Sequence, residues 1–161
     1  NADGVLVCGG LTPAYAATIA PVATELRAWL NDRGVPYAGF SAGAAIASRR
    51  AVVGGWRANG RAVCPEDAGE DLDEVTVVEG IGIVDITIDV HASQWGTLGR
   101  LVALVNDRRA TRGVAIDEDT MLVIDGTAMS VVGLGVVHHI QPATNGVTIR
   151  RVQPGERFTL D

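Results

Sequence analysis

Ser41 stands between two glycines in Gly39-Phe40-Ser41-Ala42-Gly43, after an apolar stretch and before a run of alanines. Gly-x-Ser-x-Gly between a strand and a helix is the pattern of a nucleophile elbow, a tight turn that lifts a serine hydroxyl off the end of a sheet. The N–H of Ala42, at a helix start, would face any oxyanion formed there. A small-residue turn that serves only close packing would look similar, but a nucleophile also needs a base, because serine at its ordinary pKa is weak. The chain has three histidines, His91, His138 and His139. His91 leaves the end of an apolar stretch, the rim where open α/β sheets build their sites. His138 and His139 are adjacent in a hairpin strand, one facing in and one out, which suits structure better than catalysis. A carboxylate to orient an imidazole is offered by Asp117, Glu118 and Asp119 in GVAIDEDT. Acids between two strands also make an ordinary solvated turn, and spacing does not choose among the three.

Strands and helices alternate around these residues. Gly4 to Cys8 is a short apolar run, expected as a strand buried on both faces, and Cys8 as a buried strand cysteine. Gly9 and Gly10 break it. Thr12 as N-cap and Pro13 as first helical residue open a helix whose apolar residues recur to Trp29, and Gly34 closes it. Val35 to Phe40 is a second strand, and Ala42 to Arg49 a second helix. Residues 51–74 show no period and read as a surface excursion. Its acids Glu66, Asp67, Glu70, Asp71, Asp73 and Glu74 lack the spacing of a calcium loop and read as solvated. Thr87 to Val90 is a strand, residues 95–105 a helix, and Gly113 to Ile116, Met121 to Ile124 and Ser130 to Val132 three more strands. Asn145-Gly146 predicts a hairpin with a type I′ turn. The early alternation implies a parallel sheet with helices on both faces.

Composition narrows the chemistry. The 161 residues are 47% hydrophobic and fit one domain over 1–161. A net charge of −6 argues against a nucleic-acid partner. No run approaches the roughly 20 apolar residues of a membrane span. All 13 basic residues are arginine, so lysine chemistry, from Schiff bases to phosphate-binding loops, is excluded. Two cysteines at this separation make neither a disulfide framework nor a zinc motif, which fits a reducing, cytoplasmic setting. No cofactor or metal site is expected.

Read together, Gly9-Gly10, GFSAGA, DVH followed by RL, and GVAIDEDT followed by VVGLGVV resemble peptidase family S51, the cyanophycinases and dipeptidase E. The resemblance implies a class I glutamine amidotransferase-like fold, a three-layer, doubly wound, mostly parallel sheet, here with a C-terminal β-hairpin. It also implies that the family's N-terminal strand and helix region is lacking. It further implies a serine-type peptidase or amidohydrolase with Ser41, His91 and Glu118 as its triad. Gly9, Gly10 and Ala42 would form the oxyanion hole. Asp89, Trp95 and Arg100 fall where substrate contacts are expected. The family's R-x-R-x-x-R-L array is reduced to Arg100, with Trp95 and Thr97 in place of the other arginines. Arginine pairs clamp carboxylates, so the substrate expected is a short peptide or small amide with a neutral residue at the scissile bond. The partners expected are that substrate and, at most, a second copy in a homodimer.

Two other readings compete. An α/β-hydrolase-type esterase shares the elbow but orders its triad serine, acid, histidine, which here requires Asp117 or Asp125 with His138 or His139. A silent domain of the same fold would bind a small ligand without turnover.

Overall fold

The computed structural model describes residues 2–160 as a mixed α/β protein. Strand β1 (Val5–Val7) leads through Gly9-Gly10 into helix α1 (Thr12–Ile19). Pro21 tightens the chain into one 3₁₀ turn, and α2 (Ala23–Arg33) follows, so the expected single helix is two. Gly34 closes α2 at φ 61°, a left-handed cap that glycine adopts without strain. Thr12 does not cap α1. Its N–H and hydroxyl both donate to the Glu70 carboxylate, at 2.8 and 2.6 Å, tying the helix start to the excursion.

Strand β2 (Tyr37–Gly39) pairs in parallel with β1 and runs into α3 (Ala42–Ala47). Two expectations fail here for one reason. The β1–β2 ribbon has only two strands, so Leu6 is 68% exposed and Cys8 is exposed rather than buried.

The excursion is more ordered than its lack of period suggested. Strand β3 (Arg50–Gly54) is largely buried, carries Ala51, Val52 and Val53 in the core, and pairs with β6 (Thr76–Glu79). Between them lie a small hairpin, β4 (Arg57–Ala58) and β5 (Arg61–Ala62), and one 3₁₀ turn over Glu66–Ala68. Three of its six acids are structural as well. Besides Glu70, Asp73 accepts from the Trp56 indole N–H and Glu74 from the Gly60 N–H.

Strand β7 (Thr87–Val90) and β8 (Gly113–Ile116) are parallel neighbours, and helix α4 (Leu98–Asn106) crosses between them. Hairpin β9 (Thr120–Asp125)–β10 (Ala128–Gly133) follows, then β11 (Val137–Ala143) and β12 (Gly146–Val152), with β11 antiparallel to β8. A last strand, β13 (Arg157–Thr159), returns to β10. The β11–β12 turn places its positive φ at Gly146, while Asn145 stays at negative φ, so it is not type I′. Among the described residues the sheets are five and small, and only β1–β2 and β7–β8 are parallel ladders. The fold is mixed α/β as expected, but its sheets are small and mixed, with parallel pairing confined to these two ladders, in place of one mostly parallel, doubly wound sheet. Among the described residues no helix is long and apolar enough to cross a membrane.

The excursion is locked to the sheet by a buried ion pair. Arg100, from α4, grips Asp89 of β7 with two hydrogen bonds of 2.9 and 2.7 Å and donates to the Ala68 carbonyl at 2.9 Å. The two residues are 5% and 1% exposed. Removing one partner leaves an uncompensated buried charge, which costs about 3–5 kcal/mol. Arg100→Leu is therefore expected to lower unfolding free energy by about that amount in urea titration. A loss under about 1 kcal/mol would mean that the pair holds nothing together.

Candidate active site

Ser41 occupies the turn between β2 and α3 at φ 52° and ψ −114°, a conformation that side chains rarely take. Its glycine neighbours permit it. A Cβ on Gly39 would sit 2.5 Å from the Gly43 carbonyl oxygen, and one on Gly43 would collide with the Val7 carbonyl. Tyr37 donates its hydroxyl to the Gly43 carbonyl at 2.7 Å, and burial pushes that phenol's pKa upward, so it remains a donor.

The hydroxyl of Ser41 lies 3.0 Å from Nε2 of His91. Nδ1 of the same ring lies 3.0 Å from Oε1 of Glu118. The acceptor carboxylate requires the proton on Nδ1, which leaves Nε2 with a lone pair facing the serine. His91 follows directly on β7 at φ 58°, and Glu118 follows β8 by two residues. Adjacent parallel strands thus deliver His91 and Glu118 side by side at their carboxyl ends, where open α/β sheets build their sites.

The loop after His91 holds the ring in place. Trp95 stacks on it, centroids 4.2 Å apart and planes 18° apart, while its N–H donates to the His91 carbonyl at 2.8 Å. Trp95 is 47% exposed, at the mouth of the site. Thr97 donates to the Val90 carbonyl at 2.7 Å, and the Gln94 side chain accepts the Glu118 N–H at 3.0 Å. Sequence reading missed Gln94, Thr97 and Tyr37 as supports, because the main-chain groups they bond are brought to them by the fold and not by any spacing in the chain.

The N–H groups of Gly43, Ala44 and Ala45 bond to the carbonyls of Phe40 and Ser41, whereas that of Ala42 is not taken up in this way. Gly9 lies against the serine, since a Cβ there would be 3.1 Å from that of Ser41. At Gly10 the neighbouring space is filled by the Tyr15 ring, whose hydroxyl donates to the Gly9 carbonyl at 2.8 Å.

Asp89 and Arg100 are not at a substrate surface. Bound to each other in the interior, they need a correction from substrate contact to structural lock. Asp117 is also structural, accepting the N–H groups of Ser93 at 3.0 Å and Val136 at 3.1 Å. His138 and His139 sit on β11, with His138 Nε2 3.8 Å from Asp117 and His139 ring-to-ring with Phe158. The histidine placed against Ser41 is His91, so the esterase order finds no geometric support.

Ser41, His91 and Glu118 thus form one hydrogen-bonded line in a mixed α/β protein. The family model for peptidase family S51 matches residues 1–132. The chain belongs to that family. It is 28% identical over 142 residues to cyanophycinases of Trichormus variabilis and of a Nostoc species, covering 87% of this chain and 43% of each relative. The chain thus spans less than half the length of those relatives. In fold it is similar to a peptidase from an acI-B1 actinobacterium, with TM-score 0.66 and 23% identity, over 99% of this chain and 60% of that one.

Burial depresses the pKa of His138 and, independently, of His139, so both are held neutral in the fold. A histidine with a lowered folded pKa takes its proton more readily when unfolded. Its contribution to stability is therefore complete above the ordinary value of 6.5 and is lost as pH falls below it. Urea midpoints are expected to drop between about pH 7.5 and 5.5, and to drop less in the His138→Gln, His139→Gln double variant. Equal drops in both proteins would assign the pH dependence elsewhere.

Proposed function

We propose that this protein is a serine-type peptidase or amidohydrolase working through Ser41, His91 and Glu118. The observation that carries the reading is the unbroken hydrogen-bonded line from the Ser41 hydroxyl through both nitrogens of His91 to Glu118. Ser41 Oγ attacks the substrate carbonyl as its proton passes to Nε2 of His91. The negative oxygen of the tetrahedral intermediate is received by the Ala42 N–H and the Gly9-Gly10 loop, a contribution worth about 10²–10³ in rate for one donor. His91 then returns the proton to the leaving nitrogen, and a water repeats the cycle on the acyl-enzyme. Glu118 fixes the tautomer and stabilises the imidazolium between those steps, without itself taking the proton.

The relatives named cyanophycinase suggest a peptide-like amide as substrate class. Within this chain the remaining arginine of the family array is committed to Asp89, which removes it as a carboxylate clamp. The reading therefore favours short peptides or small amides with a neutral residue at the bond cleaved, handled in one domain of the class I glutamine amidotransferase-like type.

A fluorophosphonate probe is expected to label Ser41, with labelling abolished in Ser41→Ala and slowed about 10²–10⁴-fold in His91→Ala. Glu118→Gln should slow labelling while leaving far-UV circular dichroism unchanged. Equal labelling of wild type and Ser41→Ala would sink the reading.

A further inference from the structure

A groove of about 960 Å³ opens beside Ser41 and His91 and extends between β2, β7 and the β9–β10 hairpin. That is several times the volume a small amide would fill, and lies at the upper end of the range for ligand pockets. Its walls are mainly apolar: Phe40, Ile88 and Val90 on one side, Leu122, Ile124 and Met129 on the other. Leu122 and Ile124 line the groove from the inner face of β9, where they also pack against the core residues below, and Met121 borders it from the exposed face. The charged groups around it are four carboxylates, Asp85, Asp117, Glu118 and Asp119, against one guanidinium, Arg112. A substrate carboxylate would therefore meet net negative charge, and an apolar side chain would meet matching surface.

The two strands that border the groove differ in what they offer a peptide backbone. On β7 the outward groups are already used. The Ile88 N–H donates to Ser48 Oγ, the Val90 N–H to Asp89, and the Val90 carbonyl accepts from Thr97. On β2 the bonds from Val5 to Pro36 and from Phe40 to Val7 show that even-numbered residues face β1. The main-chain groups of Tyr37 and Gly39 therefore point to the groove, immediately before the serine.

We propose that the groove takes an extended peptide, paired through its backbone to the Tyr37–Gly39 edge, with a large apolar side chain seated between β7 and the β9–β10 hairpin. This rests on the peptidase reading and names its substrate: apolar peptides, rather than acidic peptides or simple amides. Strand addition supplies affinity from the main chain, and the apolar walls supply selection of the side chain. Leu122 is the specificity-determining residue on the hairpin side.

Binding to the Ser41→Ala protein separates this proposal from the chemistry. Capped tetrapeptides that differ only in one central residue, Leu or Asp, are titrated by calorimetry. The Leu peptide is expected to bind at least about tenfold more tightly. Methylating its central backbone nitrogens, which removes donors to the β2 edge, should weaken it about fivefold. Leu122→Arg, with far-UV circular dichroism and an unchanged urea midpoint showing that it folds, should bring the Asp peptide level with the Leu peptide or ahead of it. Equal or tighter binding of the Asp peptide to the unmodified groove, no saturable binding of the Leu peptide, or a preference unchanged by Leu122→Arg would each overturn the proposal. Fluorophosphonate labelling of wild-type Ser41 reports on the peptidase reading alone, so the two fail separately.

Discussion

The site depends on one backbone conformation. Ser41 sits at φ 52° because β2 must turn into α3 within the two residues Phe40 and Ser41, and such a conformation costs on the order of 1–3 kcal/mol. The surrounding contacts hold it there. Gly39 and Gly43 let the turn close, the Tyr37 hydroxyl fixes the Gly43 carbonyl, and the Phe40 N–H anchors the approach to β1. A serine in ordinary extended or helical geometry at this position would not point its hydroxyl at the end of β7.

His91 is positioned by a second set of constraints that converge on β7. Asp89 is gripped by Arg100, Val90 is held by Thr97, and His91 turns out of the strand at φ 58° with Trp95 stacked on its ring. Because Arg100 also reaches the Ala68 carbonyl, the excursion, α4 and β7 are one packed unit. The task of Arg100 here is to hold the strand, and that task does not depend on the substrate.

Much of this was legible from residue types. Gly-x-Ser-x-Gly carries its own geometry, since only glycines tolerate the backbone approach at positions 39 and 43. Residues 87–90 and 113–116 were readable as strands because each is a short apolar run. The carboxylate that meets His91 was not legible from spacing, since Asp117, Glu118 and Asp119 are equivalent in sequence. The family resemblance pointed to Glu118, and the structure shows Asp117 spent on the N–H groups of Ser93 and Val136. Exposure of β1 and the buried Asp89–Arg100 pair were also beyond reach, because both depend on which strands become neighbours. Strand β3 went unread because its pairing partner, β6, lies more than 20 residues away and no local period marks it.

The central claim is that Ser41, His91 and the Ala42 N–H surround one reacting carbonyl. It is tested most directly by a crystal structure of the protein inactivated with a phosphonate. The account predicts phosphorus bonded to Ser41 Oγ, its oxygen directed to the Ala42 N–H and the Gly9-Gly10 loop, and His91 still bonded to Glu118. A phosphonyl oxygen turned away from Ala42, or an adduct on any other residue, would contradict it.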